Sequence, residues 1–200
     1  MNHIEKIKHR LRVKPIHNFH KQILDNFYLW KSDLSKKIDN NELKKKILDY
    51  KQKYPESNKS NLSAWNSGYH THLQTSTFND FITILENEVQ TCVKGILDHS
   101  DNTLKLAHFW AAIYELNDFA KLHNHGICNY SAVYYVDADE STSSLIFEDE
   151  FEIIPYPGLL VIFSGQYFHK VPKMTSSKNR TILAANFMYI PNYFLSNNKQ

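Results

Sequence analysis

From about residue 102 onward the chain breaks into short runs rich in β-branched and aromatic residues: 104–114, 130–136, 144–147, 151–154, 159–163, 168–171 and 181–190, each closed by turn residues. Seven or eight short strands must each bury one face and hide their edges, which leaves a sandwich or a barrel. The run 159–163 is apolar at every position, so both its faces need cover, one from an opposing sheet and one from helices. Helices are expected upstream. Apolar residues recur at helical spacing over 16–30 (Ile23, Phe27, Trp30) and 34–54 (Leu34, Ile38, Leu43, Ile47, Tyr50), where Pro55 stops the run. A third amphipathic helix is expected over 78–97 (Phe81, Ile82, Leu85, Val89, Val93, Ile96), after a Ser/Asn-rich loop over 56–67. The expected fold is mainly β with N-terminal helices: helices first, then a β-sandwich, of which a jelly roll is one form. It is read as a single domain over 1–200, with a mainly helical support region in 1–100 and the jelly-roll core in 101–192.

Composition narrows the function classes. No apolar run reaches the roughly 18 residues of a membrane span, and the basic start MNHIEKIKHRLRVK has no apolar stretch behind it, so neither a membrane nor a secretory signal is expected and the cytoplasm is the expected location. Cys92 and Cys128 lack the CxxC spacing of zinc or redox motifs. Residues 1–60 carry 15 Lys/Arg against 7 Asp/Glu, and residues 61–200 carry 8 against 14. The lysines of the basic part are interleaved with acids over helical patterns, so nucleic acid is not the expected partner. Eleven histidines direct attention to a metal site, since His is the commonest metal ligand.

His123-Asn124-His125 is the first candidate. In extended chain, residues two apart project to one face, so both imidazoles can reach one ion. His169 follows the buried run 159–163 and a turn at Ser164-Gly165, 46 residues after His123, a separation that returns the chain to the same end of a sandwich. Any one of these alone is better read as an ordinary surface or packed histidine; the constellation favours a metal. Arg180 is the second clue. The chain has only three arginines, the others being Arg10 and Arg12, and a guanidinium grips a carboxylate through two parallel hydrogen bonds as an ammonium cannot. Strand alternation puts Arg180 on one face with Ile182, Ala184, Asn186 and Met188. The bland alternative is a salt bridge to the acidic stretch 137–152.

HxH, a distal His and a downstream Arg resemble the iron(II)/2-oxoglutarate dioxygenases, whose usual signature is HxD, His and Arg. The segments SNKSNLSAWNS (57–67), WAAIYELNDFAKLHNHGICNYSAVYYV (110–136) and 157–187 are similar to a family of 2-oxoglutarate- and iron-dependent oxygenases of bacteria and marine phages. Its pattern reads SNxxGWxS, then WaniNxxGdyNxxHxHPxxxlSGVyYl, then G-lvlFPs-xxHxvxp with RisisFn. The resemblance covers about residues 57–190, and the fold it implies is the double-stranded β-helix, or jelly roll. It implies Fe(II) on His123, His125 and His169, 2-oxoglutarate and O2 as cosubstrates, Arg180 on the distal carboxylate, and hydroxylation of an unidentified substrate with release of succinate and CO2. Departures are Tyr114 where that family has Asn, Asn117 and Ala132 where it has Gly, Gly126 where it has Pro, and Ile182 where many relatives have a Ser that helps bind the carboxylate. Tyr135 resembles a Tyr of the related prolyl hydroxylases that supplies such a hydroxyl, and Tyr114 resembles another that lines the same pocket; Asn186 joins them as a cofactor-binding candidate. Tyr135 and Tyr114 could equally be core aromatics.

His125 in place of the usual Asp leaves one more positive charge at the metal, but a three-His site accepts Fe(II), Co(II), Ni(II) or Zn(II). His70-Thr71-His72 is a second HxH pair without a companion His and Arg at matching distance, read at most as a contact to the residues around the metal or to the substrate. Cys128 reads as a buried thiol, and His99 and His108 as structural. Two other readings stay open. A cupin-like three-histidine enzyme without 2-oxoglutarate normally has a Glu four or five residues after HxH, where Asn129 and Tyr130 stand here. A metal-free jelly-roll binding module would show no stabilisation by metal.

Overall fold

The computed structural model describes residues 19–24, 27–56, 61–94, 102–148 and 151–191. The basic start, Arg10, Arg12, Ile16, Ser57–Ser60, Ile96, Leu97 and His99 lie outside the described residues.

Among the described residues, eleven strands form two antiparallel sheets. They are β1 (Phe19–Leu24), β2 (Phe27–Asp33), β3 (Trp65–Asn66), β4 (Asn102–Tyr114), β5 (Ala120–His123), β6 (Tyr130–Asp137), β7 (Leu145–Phe147), β8 (Phe151–Ile153), β9 (Leu159–Ser164), β10 (His169–Val171) and β11 (Arg180–Pro191). The larger sheet has the order β1-β2-β9-β6-β11-β4-β3, the smaller β5-β10-β7-β8. Three helices accompany them: α1 (Asn40–Lys53), the single turn α2 (Thr71–Gln74) and α3 (Asn79–Lys94).

Strand alternation divides the interior into two layers. On β9, Leu160 and Ile162 join Leu43, Ile47, Phe81, Leu85 and Val89 of α1 and α3 in one cluster, while Leu159, Val161 and Phe163 join Leu145, Phe147 and Val171 of the smaller sheet in another. On β11 the same division sends Leu183, Ala185 and Phe187 to the helices and Ile182 and Ala184 between the sheets. The all-apolar run is thus covered as the sequence requires, and burial on both faces is worth about 1.5–3 kcal/mol for each large aliphatic or aromatic side chain.

The helix expected over 16–30 is corrected by the structure. Its described part is the β1–β2 hairpin, and β2 continues into the large sheet by pairing Leu29–Asp33 with β9. Ile23, Phe27 and Trp30 have helical spacing, but Leu29 and Trp30 face opposite clusters, the period of a strand. The physical reason is the edge: without β2 the buried strand β9 would leave a row of backbone donors and acceptors unpaired. The second helix begins later than 34, at Asn40, because the Asp39 side chain accepts from the Asn41 and Glu42 amides as an N-cap. Leu34 instead binds Gly158 O through its amide, 2.8 Å, where Gly158 has φ +94° and a Cβ would fall 2.7 Å from Ser35 Cβ.

Candidate metal centre

β5 and β10 are paired so that His123 stands opposite His169, and the ring centroids lie 4.3 Å apart. His125 has left the strand. Its amide donates to Gly165 O at 2.7 Å, and its carbonyl accepts from Cys128 N at 2.6 Å, which turns the ring back to 5.1 Å from His123 and 5.2 Å from His169. Strand alternation therefore accounts for His123, whereas a loop contact places His125. One ligand atom from each of the three lies within 4.8 Å of the others, the one such group among the described residues.

The hydrogen bonds set the ring protons. His123 Nδ1 lies 2.7 Å from Lys121 O and His169 Nδ1 2.9 Å from Tyr167 O. A carbonyl only accepts, so in each ring Nδ1 carries the proton and the Nε2 lone pair is free for a metal. The Asn186 amide meets His125 Nδ1 at 3.3 Å and accepts from Ser131 Oγ at 2.8 Å. Turned over, the amide would accept from His125 Nδ1–H and donate to Ser131, which leaves Nε2 of the third ring free as well. Asn186 thus sits at the metal end of the pocket, away from the guanidinium with which it shares a strand face.

Loss of solvent, reinforced by the neighbouring imidazoles, pushes His125 down to about 4 and His169 down to about 3. Burial lowers His123 too, against its backbone hydrogen bonds. All three are neutral near pH 7, the form that ligates. Unfolded histidine takes up a proton near pH ~6.5, so below that the unfolded chain holds more protons than the folded one and stability falls as pH falls. Urea unfolding of the metal-free protein is expected to show stability declining from about pH 6.5 toward 4, with a shallower slope in His169→Gln. An identical slope in that variant would contradict the assignment.

Gly165 is a functional position that sequence reasoning passed over as a turn residue. A Cβ there would fall 2.2 Å from Cys128 O and 3.1 Å from His125 O, so the His125 loop can lie against β9 only if residue 165 has no side chain. Gly165→Ala is expected to destabilise the protein by about 1–3 kcal/mol and to weaken metal binding by displacing His125. Thermal melts with and without metal check this; an unchanged metal-induced shift would argue against it.

The other end of the pocket is occupied by Arg180, 1% exposed. Its guanidinium carbon lies 4.8 Å from the Tyr114 ring centroid and 5.0 Å from that of Tyr135. Nη2 donates to Tyr135 Oη at 3.3 Å, and Nε and Nη1 are buried with no hydrogen-bond partner among the described residues. No ion pair to the acidic stretch forms among the described residues; Asp139 pairs instead with Lys178. Burial pushes the Tyr114 phenol up to about 12 although the guanidinium pulls the other way, and Tyr135 is raised for the same reason, so both remain O–H donors. A buried cation with unsatisfied N–H groups is costly without an anion. Arg180, Tyr114, Ile182, Ala184 and the three histidines line one cavity, walled on the smaller sheet by Leu145 and Val171.

Asn117, which stands where the resembled family has Gly, has φ +73°, a left-handed conformation that Gly and Asn tolerate best. His108, expected to be structural, is placed with its Nδ1 3.5 Å from the Asn186 amide. Cys128 is a free, buried thiol whose Sγ lies 3.9 Å from His108 Nδ1.

No family profile matches the chain, and no curated protein matches it. Solved structures do. A viral collagen prolyl hydroxylase from Paramecium Bursaria Chlorella virus-1, determined with 2-oxoglutarate, is 14% identical, with 82% of this chain and 98% of that chain covered and a TM-score of 0.58. HygX from Streptomyces hygroscopicus, with nickel and 2-oxoglutarate bound, is 9% identical over 80% and 82% of the two chains, TM-score 0.60. The non-heme α-ketoglutarate-dependent carbocyclase SnoK from nogalamycin biosynthesis is 9% identical over 84% and 86%, TM-score 0.62. The chain has the jelly-roll fold of these oxygenases.

Proposed function

We propose that this chain, built on the jelly-roll fold of the 2-oxoglutarate–Fe(II) oxygenases, is itself a non-heme Fe(II)- and 2-oxoglutarate-dependent dioxygenase of the hydroxylase type. The observation that carries the reading is Arg180: a buried guanidinium with two unsatisfied nitrogens, at the far end of a cavity whose other end holds three convergent imidazoles. A short diacid would satisfy both ends, one carboxylate on Arg180 and the 2-oxo acid end at the metal.

His123, His125 and His169 would hold the iron, which when bound supplies the chemistry of O2: oxidative decarboxylation of 2-oxoglutarate to succinate and CO2, coupled to oxygen insertion into the substrate. The protein's own part is position and charge. Backbone carbonyls orient His123 and His169, and burial keeps the imidazoles neutral. Arg180 and the Tyr135 hydroxyl would take the distal carboxylate, so that Tyr135 serves where relatives of the resembled family use a Ser and this chain has Ile182. Tyr114 would pack against the guanidinium and offer a second hydroxyl. Phe147 and Phe163 meet His169 at 5.9 and 4.9 Å between ring centroids and would keep water from that side of the site.

Anaerobic titration with Fe(II) and then 2-oxoglutarate tests the reading. A weak visible charge-transfer band is expected only when both are present, as chelation of the metal by the 2-oxo acid requires. Metal binding without any band on addition of 2-oxoglutarate would favour a three-histidine enzyme of the cupin type; no metal binding would favour a binding module.

A further inference from the structure

A second group of imidazoles lies beside the metal centre. His70 precedes α2, His72 lies within it, and His108 sits on β4 directly opposite Asn186 of β11. Ring centroids are 5.2 Å apart for His70 and His108 and 6.2 Å for His70 and His72. The group adjoins the site already described through two side chains. The Asn186 amide reaches His108 Nδ1 at 3.5 Å and His125 Nδ1 at 3.3 Å. Trp110 stands 6.1 Å from His125 and meets Tyr69 edge-on at 5.0 Å, and Tyr69 in turn lies 6.1 Å from His108.

This group has no acidic partner. Among the described residues no ion pair involves any of the three. His72 Nδ1 is buried and makes no hydrogen bond. The charges that act on His72 and His108, after burial, are those of other imidazoles. Among the described residues the His70 and His72 rings make no hydrogen bond to a protein acceptor, and an oxyanion could take an N–H from each ring whether the ring is neutral or charged. A shared metal fits less well, since the rings are spread wider than those of the His123–His125–His169 group and their nitrogens do not converge as those do. There is also room. A cleft of ≈ 600 Å³ shares Tyr69 and His70 with the group, and its lining includes Tyr50, Tyr54, the cation of Lys53 and the carboxylate of Glu56.

We propose that His70, His72 and His108 form the substrate subsite of this enzyme and take an anionic group of the substrate, a carboxylate or a phosphate, beside the metal centre. The assignment rests on the dioxygenase reading, because it is that reading which puts the reacting carbon next to His125. Within it, His70 and His72 select the substrate, and Tyr69 and Trp110 form the aromatic wall between the anionic group and the metal.

The test uses the full chain loaded with one equivalent of Zn(II) and saturated with 2-oxoglutarate, so that Arg180 is occupied and a second anion cannot compete for it. Inorganic phosphate and acetate are then titrated, and histidine ring resonances are followed by NMR. Saturable shifts of the His70 and His72 rings are expected with at least one of the anions. The double variant His70→Ala/His72→Ala should weaken that anion roughly tenfold or more with 2-oxoglutarate affinity unchanged, and His70→Asn/His72→Asn, which keeps side-chain N–H donors, should recover part of it. Tighter phosphate assigns a phosphate ester, tighter acetate a carboxylate. Equal anion affinity in wild type and the alanine variant would overturn the proposal, as would the absence of any saturable shift at these rings or the binding of a second Zn(II) by them. Failure of the first Zn(II) or of 2-oxoglutarate to bind, measured calorimetrically before any anion is added, would instead overturn the dioxygenase reading.

Discussion

Arg180→Ala is expected to weaken 2-oxoglutarate by roughly tenfold to a hundredfold, about 1.5–3 kcal/mol, while leaving metal affinity nearly unchanged. The magnitude is that of a charge-assisted contact to a carboxylate in a buried setting, and Arg180 has two nitrogens there with no other use. Calorimetry with Mn(II) in place of iron measures it. Tyr135→Phe should lose only about 0.5–1.5 kcal/mol, since one hydrogen bond goes and the ring still packs. Arg180→Ala should also discriminate less against 2-oxo acids lacking the second carboxylate, because the unpaired buried cation that penalises them is gone. A control separates binding from folding. Arg180→Met fills much of the same volume without the charge, and its metal-free form should be at least as stable as wild type, because removing an uncompensated buried cation relieves a cost. Equal 2-oxoglutarate affinity in wild type and Arg180→Ala would remove the main support for a 2-oxoglutarate enzyme.

His169→Ala is expected to abolish most of the stabilisation that metal confers. A ligand bound only by the folded chain adds RT ln(1 + [L]/Kd), about 2.7 kcal/mol at a hundredfold excess over Kd. His169 has the greatest leverage of the three: it is 5% exposed, pairs in register with His123, and packs on Phe147 and Phe163. Truncation removes both a ligand and part of the wall that holds His123. His123→Ala should lose the metal equally but disturb the metal-free fold less, its ring being less deeply buried. Thermal melts of each variant with and without Mn(II) plus 2-oxoglutarate read both effects. A metal-induced shift that survives in both variants would place the ion elsewhere, with His70 and His72 the next candidates.

The β-rich half was legible because its signal is local. Each strand from β6 to β11 falls within a residue or so of a β-rich run bounded by turn residues, and the all-apolar β9 demanded the two covered faces it has. His123, His169 and Arg180 were legible for a related reason: they sit on or at the ends of strands, where alternation and chain separation alone carry a side chain to a predictable side. The β1–β2 hairpin was not legible, because Ile23, Phe27 and Trp30 satisfy a helical period as well as an extended run does, and the choice fell to the unpaired edge of β9, a partner more than a hundred residues away.

A layered β fold, a histidine constellation at one end of it and a single arginine on the last strand follow from the order of residues alone. That Arg180 makes no ion pair among the described residues became visible only in the packed chain, where Asp137 and Asp139 of the acidic stretch pair with Lys44 and Lys178 instead. Tertiary structure also decided that His125 is delivered by a loop pressed against a side-chain-free Gly165, and that His70, His72 and His108 meet beside the metal centre. The physical reason is common to all three. Periodicity reports which face a residue takes within its own element, whereas an unmet hydrogen bond, an uncompensated charge or a close backbone approach belongs to several elements together and exists only once they are packed.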